Sequence, residues 1–260
     1  MISLDLTGHT VCVTGASGSL GRAAAVMVAR AGGNVLACDV DAESLSAVEK
    51  DVQDEGGNVL SCVTDVTSAS SVSKAMESGA EHFGGLTGLV NAAGILRVGH
   101  LATMPEKEWR EIFDVNVTGT YLSSRSILPF LRAAGSGSIV NVSSVSAFIG
   151  SDEGFAYSST KGAVLSFTYG IAGELASSGI RVNAVCPGWV SGGFTQHAMD
   201  ASEDPESLVR TAESLHYLGR MATPEDVAHA ILWLLSPLSS FVTGTSLFVD
   251  GGYMVKRGSN

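Results

Sequence analysis

Seven short apolar runs separated by longer amphipathic stretches constrain this chain more than any other feature. The runs are Thr10–Val13, Asn34–Cys38, Val59–Val63, Gly88–Val90, Ser138–Val142, Ile180–Val185 and Ser246–Val249. Between them, helical periodicity predicts helices over Leu20–Ala31, Ala42–Glu55, Ala69–Phe83, Trp109–Leu131, Ala156–Ser177 and Pro224–Leu235. Several runs are apolar at consecutive positions rather than at alternate ones. A strand of that kind buries both faces, which is the habit of a parallel sheet covered by helices. Repeated strand–helix units therefore predict an α/β fold: a doubly wound, mostly seven-stranded parallel sheet with helices on both faces.

No linker or internal repeat divides the sequence. Its 31 glycines are scattered at turns and its prolines number only 6. A single domain over 1–260 is expected, with one irregular insertion at about Ser191–Leu218. That stretch is acidic (Asp200, Glu203, Asp204, Glu206, Glu213) and is expected to form a substrate lid. At 45% hydrophobic and 16% charged residues, the chain is too apolar to be disordered. Its net charge of −11 argues against nucleic acid or an anionic membrane as partner, and leaves a small molecule. The densest apolar stretch, Ala230–Leu235, is far short of the ~20 residues of a membrane span. The first residues, Met1 to Leu6, lack the basic and apolar regions of a signal peptide. Four cysteines (Cys12, Cys38, Cys62, Cys186) form no CxxC pair, and suit buried positions in a reducing cytoplasm. Six histidines show no metal-ligand spacing, so no metal is expected.

The first apolar run leads into Thr14-Gly15-Ala16-Ser17-Gly18-Ser19-Leu20-Gly21 and then a helix. Glycines at such a turn let backbone approach a pyrophosphate, while the helix N-terminus offers free N–H groups and a positive dipole. Asp39 ends the second run, eighteen residues beyond Gly21, close to the interval at which an acid meets the adenosine ribose. It could instead cap the next helix, a task for which Asp41 is equally suited. Asp65, after the third run, is open to the same two readings, cap or adenine contact. Asn91-Ala92-Ala93-Gly94 closes the fourth run with small residues, as a nucleotide lying against backbone requires.

Tyr157 and Lys161 are spaced to share one helix face. Alone, such a pair is commonplace. Ser144, at the end of the fifth run, and Asn116, in the preceding helix, change its meaning. Thr14–Gly21, Asn91–Gly94, Asn116, Ser144, Tyr157-xxx-Lys161 and Pro187-Gly188 together resemble the single-domain short-chain dehydrogenase/reductase family, and the likeness runs through Val249-Asp250-Gly251-Gly252. The thirteen-residue interval from Ser144 to Tyr157 fits that family and selects Ser144 over Ser143.

The resemblance implies a Rossmann-like fold, a dimer or tetramer, and a catalytic set of Asn116, Ser144, Tyr157 and Lys161. It implies that Lys161 also holds the nicotinamide ribose and that Asn116 anchors a water relay to Lys161. Cofactor contacts are implied for Gly15, Ser17, Gly18, Ser19, Leu20, Gly21, Asp39, Asp65, Val66, Asn91, Ala92, Ala93, Gly94, Tyr157, Lys161, Pro187, Gly188, Val190 and Thr195. Two positions depart from the family pattern. Ser19 stands where a glycine is usual, and Gly192 where a threonine is usual, with Ser191 and Thr195 nearby as substitutes.

The chemistry can be weighed independently. A tyrosine titrates near ~10, and bringing it to roughly 7 takes about 4 kcal/mol. A cation at ~4 Å in an effective dielectric near 20 contributes about that much, so Lys161 is expected to lower the Tyr157 pKa, helped in the oxidative direction by the positive nicotinamide ring. Tyr157 would then exchange the hydroxyl proton while Ser144 holds the reacting oxygen. The reading is an NAD(H)-dependent oxidoreductase interconverting a secondary alcohol and a ketone. A 3-oxoacyl-(acyl-carrier-protein) reductase is the alternative, disfavoured by the acidic surface and by Asp39. A silent nucleotide-binding regulator would not need the catalytic set, and a serine hydrolase would need a GxSxG elbow that is absent from the sequence.

NAD is expected over NADP because Asp39 would face the 2′-phosphate. Ala16, Ser17, Gly18 and Val40 offer no compensating cation, and Arg22 should point away. The wall Val145–Phe155 and the stretch Trp189–Leu218 should shape a partly apolar pocket, with Phe148, Ile149, Trp189 and Phe194. Surplus apolar residues on the long helices, such as Ala163, Phe167, Ile171 and Leu175, predict a homotetramer or homodimer.

Overall fold

The computed structural model describes residues 4–150 and 153–256. Its seven strands are β1 (Thr10–Thr14), β2 (Asn34–Asp39), β3 (Val59–Val63), β4 (Gly88–Asn91), β5 (Gly137–Val142), β6 (Ile180–Pro187) and β7 (Ser246–Val249). They form one parallel sheet in the order β3-β2-β1-β4-β5-β6-β7. Each expected strand is present, its ends within two residues of the expected ones.

Alternate residues of each strand feed opposite layers. Val11, Val13, Val35 and Val140 pack against α1 (Ser19–Arg30), α2 (Ala42–Asp54) and α9 (Pro224–Leu235). Cys12, Leu36, Leu89 and Ile139 pack on the other face against α3 (Ala69–Phe83), α5 (Gly119–Ala133) and α6 (Phe155–Leu175). These side chains are almost wholly buried, and each contributes about 1.5–3 kcal/mol through burial. This two-sided packing is why the runs lack strict alternation. The chain winds from β1 outward to β3, then crosses back to β4 on the other side of β1. Strand order thus reverses between β1 and β4, opening a crevice at their C-terminal ends, where ligands of such sheets bind.

Two expectations about elements need correction. The helix expected over Trp109–Leu131 is three pieces: α4 (Glu106–Phe113), a π-helical turn (Asp114–Thr118) and α5. Asn116, in the π turn, is anchored to the backbone of Ile95, and Gly119 lets the chain close on Val66, whose Cγ2 would lie 2.8 Å from a Cβ there. The insertion expected to be irregular is instead helical, with α7 (Gly193–Asp200) and α8 (Pro205–Ser214). Asp204 caps α8 by accepting from Ser207 N–H, and Pro205 opens it. Two short helices broken at 201–204 leave no sustained period to read. Residues 151 and 152 of the expected pocket wall lie outside the described residues.

Candidate active site

The strand ends converge on one crevice. Gly15 follows β1 with φ +67°, and a Cβ there would lie 2.5 Å from the Ala93 nitrogen. A side chain at Gly21 would run into the Gly15 carbonyl. Gly18 occupies the N-cap of α1 and no side chain caps it, so that helix presents its N-terminal N–H groups and dipole to the crevice. The Ser17 hydroxyl is buried without a hydrogen-bond partner. A cradle that a Cβ would fill, an uncapped helix N-terminus and an orphan hydroxyl fit a dinucleotide pyrophosphate.

Asp39 is not the cap of α2. Asp41 does that, accepting from Glu43 and Ser44 N–H. Asp39 instead accepts from Ser17 N–H at 3.0 Å, tying the end of β2 to the glycine turn. Arg22 is committed to Asp51, Nε to Oδ2 2.6 Å, and supplies no cation to Asp39. Asp65 is likewise not a helix cap; Ser68 caps α3, and Asp65 accepts from the Thr67 N–H and hydroxyl.

Asn91 ends β4 with its side chain turned into the sheet. Its amide donates to Asn141 Oδ1 at 2.8 Å and Ser124 Oγ at 3.1 Å, and Asn141 donates onward to Thr168. The donor side of the Asn91 amide thus joins β4 to β5, α5 and α6. Next to it, Ala92 and Ala93 N–H groups turn back to Thr14, while Gly94 keeps open a space that a Cβ would narrow to 3.3 Å from Asn116 Oδ1 and 3.7 Å from Lys161 Nζ.

Ser144, Tyr157 and Lys161 share a cavity of about 430 Å³ whose lining includes Gly94, Pro187, Gly188, Val190 and Thr195. Lys161 is buried, its ammonium donating to the Val142 carbonyl at 2.9 Å and lying 5.4 Å from the centre of the Tyr157 ring. Burial pushes the Tyr157 phenol up to about 12, against the opposing hydrogen bond from Ser144. Burial also brings Lys161 down to about 8, although Cys186 nearby favours the charged form. Without the cofactor's positive ring, Lys161 does not bring Tyr157 toward neutrality. Desolvation penalises the charged form of each group.

Asn116 is buried, and both hydrogens of its amide are engaged. It accepts from Ile95 N–H at 2.8 Å and donates to the Ile95 carbonyl at 3.0 Å and to Thr160 Oγ1 at 3.1 Å. These bonds join the segment after β4 to the turn of α6 that carries Tyr157 and Lys161. The two departures from the family pattern meet in space. Ser19 lies against Gly192 and Gly193, and a Cβ on Gly193 would sit 2.6 Å from Ser19 Oγ. The extra side chain on α1 is accommodated by glycines at the start of α7.

Two contributors escaped sequence reading. Thr160 links Asn116 to α6, and its only signal was its place inside the Tyr157–Lys161 turn. His216 contacts the Gly188–Trp189 turn, and with no ligand-like spacing to another histidine it carried no pattern. Among the described residues no three His, Cys, Asp or Glu side chains converge as a metal site.

A family model described as enoyl-(acyl carrier protein) reductase matches residues 15–254. The chain belongs to the short-chain dehydrogenase/reductase family. It is 35% identical to a 3-oxoacyl-(acyl-carrier-protein) reductase of Thermotoga maritima, over 97% of this chain and 100% of that one. It is also 35% identical to a cyclopentanol dehydrogenase of Comamonas sp., over 94% of this chain and 96% of the other. Its fold superposes on carveol dehydrogenase from Mycobacterium avium in complex with NAD, with a TM-score of 0.90, 27% identity and coverage of 96% and 99%.

Proposed function

We propose that this protein is an NAD(H)-dependent oxidoreductase that interconverts a secondary alcohol and a ketone. The observation that carries this reading is the grouping of Ser144, Tyr157 and Lys161 in one cavity beside the uncapped glycine turn. Gly15, Ser17, Gly18, Ser19, Leu20 and Gly21 would cradle the pyrophosphate. Asp39 would accept from the adenosine ribose, with Asp65 and Val66 at the adenine. The backbone of Asn91 to Gly94 would lie along the nucleotide, while Pro187, Gly188, Val190 and Thr195 would line the nicotinamide end. When bound, NAD supplies the hydride-accepting carbon and, in its oxidised form, a positive ring.

Tyr157 Oη takes the proton of the alcohol and returns it when a carbonyl is reduced. Ser144 Oγ donates to the reacting oxygen, and the Lys161 ammonium stabilises the phenolate. Asn116 would hold Ile95 and Thr160 in place and anchor a water relay to Lys161. Substrate enters between Val145–Ile149 and the helices α7 and α8, which we read as the lid. Trp189, Phe194 and Ile149 give that cavity its apolar side.

Assembly and location complete the proposal. Tyr121 and Phe167 meet edge to face, 6.4 Å apart, and Tyr121 is exposed on α5, which supports a homotetramer or homodimer through the long helices. Leu175 is not part of that surplus, because it is buried in the core. Cys12 and Cys38 lie 3.8 Å apart as free thiols, which supports a reducing cytoplasm. Among the described residues no helix is long and apolar enough to cross a membrane.

A panel of secondary alcohols and ketones followed at the NADH absorbance tests the activity. Turnover with some member, lost in Tyr157→Phe, is expected; turnover unchanged in that variant would overturn the assignment. Size-exclusion chromatography with light scattering should show a multiple of the chain mass, and a monomer at micromolar concentration would refute the assembly.

A further inference from the structure

His216 has no part in the chemistry above, yet it is buried (2% exposed) where three segments meet. Its Nδ1 lies 2.8 Å from the carbonyl oxygen of Ala212 in α8, and its Nε2 lies 3.2 Å from the backbone nitrogen of Trp189. A carbonyl only accepts and an amide N–H only donates. The two contacts therefore fix one arrangement: Nδ1 carries the proton and Nε2 accepts. The ring also rests against Gly188, where a Cβ would lie 2.6 Å from Nε2, and stands 5.5 Å from the Tyr253 ring.

The turn that His216 holds is the one after β6. Gly188 N–H is bound by Val249 and Ser191 N–H by Ala222, both backbone partners. Between them, the Trp189 N–H relies on the imidazole. Gly188, Trp189 and Val190 all line the cavity that contains Tyr157. Small displacements of that turn would move the wall facing the reacting atoms, whereas the glycine cradle at β1 is held by other contacts.

We propose that His216 is a positioning residue for the nicotinamide end of the cofactor site: by accepting the Trp189 amide it sets the Gly188–Val190 turn and locks that turn to α8. The proposal rests on the reading that this turn receives the nicotinamide half of NAD. It assigns a role to a side chain that touches neither the cradle nor the proton-transferring group.

The test separates the two halves of the dinucleotide. His216→Gln places an amide oxygen near the Nε2 position, whereas His216→Asn retains a polar group only near Nδ1. Each purified protein is titrated calorimetrically with NADH and with ADP-ribose, which lacks the nicotinamide. H216N should bind NADH about ten-fold more weakly than wild type, the size of one lost hydrogen bond, with ADP-ribose unchanged. H216Q should stay within about two-fold of wild type for both. In steady state, the KM for NADH of H216N should rise while kcat changes little.

Equal NADH affinity in H216N and wild type would overturn the proposal. So would an equal loss for both ligands, which marks general loosening. Wild-type protein that binds neither nucleotide refutes the dinucleotide reading itself and this proposal with it. Should either variant fail to fold, nitrogen NMR of the wild-type imidazole decides. A protonated Nδ1 whose Nε2 resonance moves with NADH but not with ADP-ribose supports the role; a protonated Nε2, or no response to NADH, overturns it.

Discussion

Replacing Lys161 with methionine should stabilise the cofactor-free protein at neutral pH while destroying its activity. The side chain is 5% exposed, and burial lowers its pKa from 10.5 to about 8. Below pH 8 both folded and unfolded chains carry the proton, so the folded state bears the full cost of a desolvated ammonium. Between pH 8 and 10.5 the unfolded chain holds a proton that the folded chain has released, and stability rises with pH. Integrated over that window, the penalty at pH 7 is about 3 kcal/mol, shrinking to about 1 kcal/mol at pH 10. Methionine has similar length and no charge, but it leaves the Val142 carbonyl without its 2.9 Å donor, which costs about 1 kcal/mol. The net gain at pH 7 is about 2 kcal/mol. In a chain of this size that raises Tm by roughly 4–8 °C.

Tyr157 does not blur the window. Its pKa is raised from 10.0 to about 12, so its contribution is fully present below pH 10 and is lost as pH rises through 12. Urea denaturation of wild type and K161M at pH 7 and pH 10 checks the argument. The advantage of the variant should be largest at pH 7 and should vanish or reverse by pH 10. A variant less stable than wild type at pH 7, or an advantage independent of pH, would refute the reasoning.

Tyr157→Phe should retain NADH binding by calorimetry and lose roughly 10²- to 10⁴-fold in kcat, because only the proton-carrying oxygen is removed. Wild type should favour NAD over NADP by roughly 30- to 1000-fold in kcat/KM, from a carboxylate facing a phosphate at an effective dielectric of 20–40. Asp39→Ala should narrow that gap, and equal use of both cofactors by wild type would disprove the role of Asp39. Gly15→Ala should both weaken ADP-ribose binding and lower Tm, since a Cβ at φ +67° meets Ala93 backbone at 2.5 Å; binding and melting like wild type would show that the turn can shift.

Local pattern carried the layout of this protein a long way. Burial on both faces of a strand produces consecutive apolar residues, and helix periodicity is set within a few turns, so the sheet and most helices could be read from the sequence. The glycine turn and the Tyr157–Lys161 spacing were legible for the same reason: each is a constraint between near neighbours. Local pattern could not choose between Asp39 and Asp41 as the cap of α2, because both have the chemistry. Only the fold brings Ser17 N–H to Asp39.

The remaining decisions depended on what distant segments do to one another. The π turn at Asn116 exists where Ile95 and Thr160 occupy its amide, and neither adjoins it in sequence. In the cofactor-free chain, desolvation by the surrounding walls shifts both Tyr157 and Lys161, an effect of burial that is invisible in spacing. His216 acquired its partners only when α8 and the turn after β6 closed around it. A hydrogen bond across 27 residues leaves no periodic trace, because its geometry comes from the packing of whole elements and not from the chain between its ends.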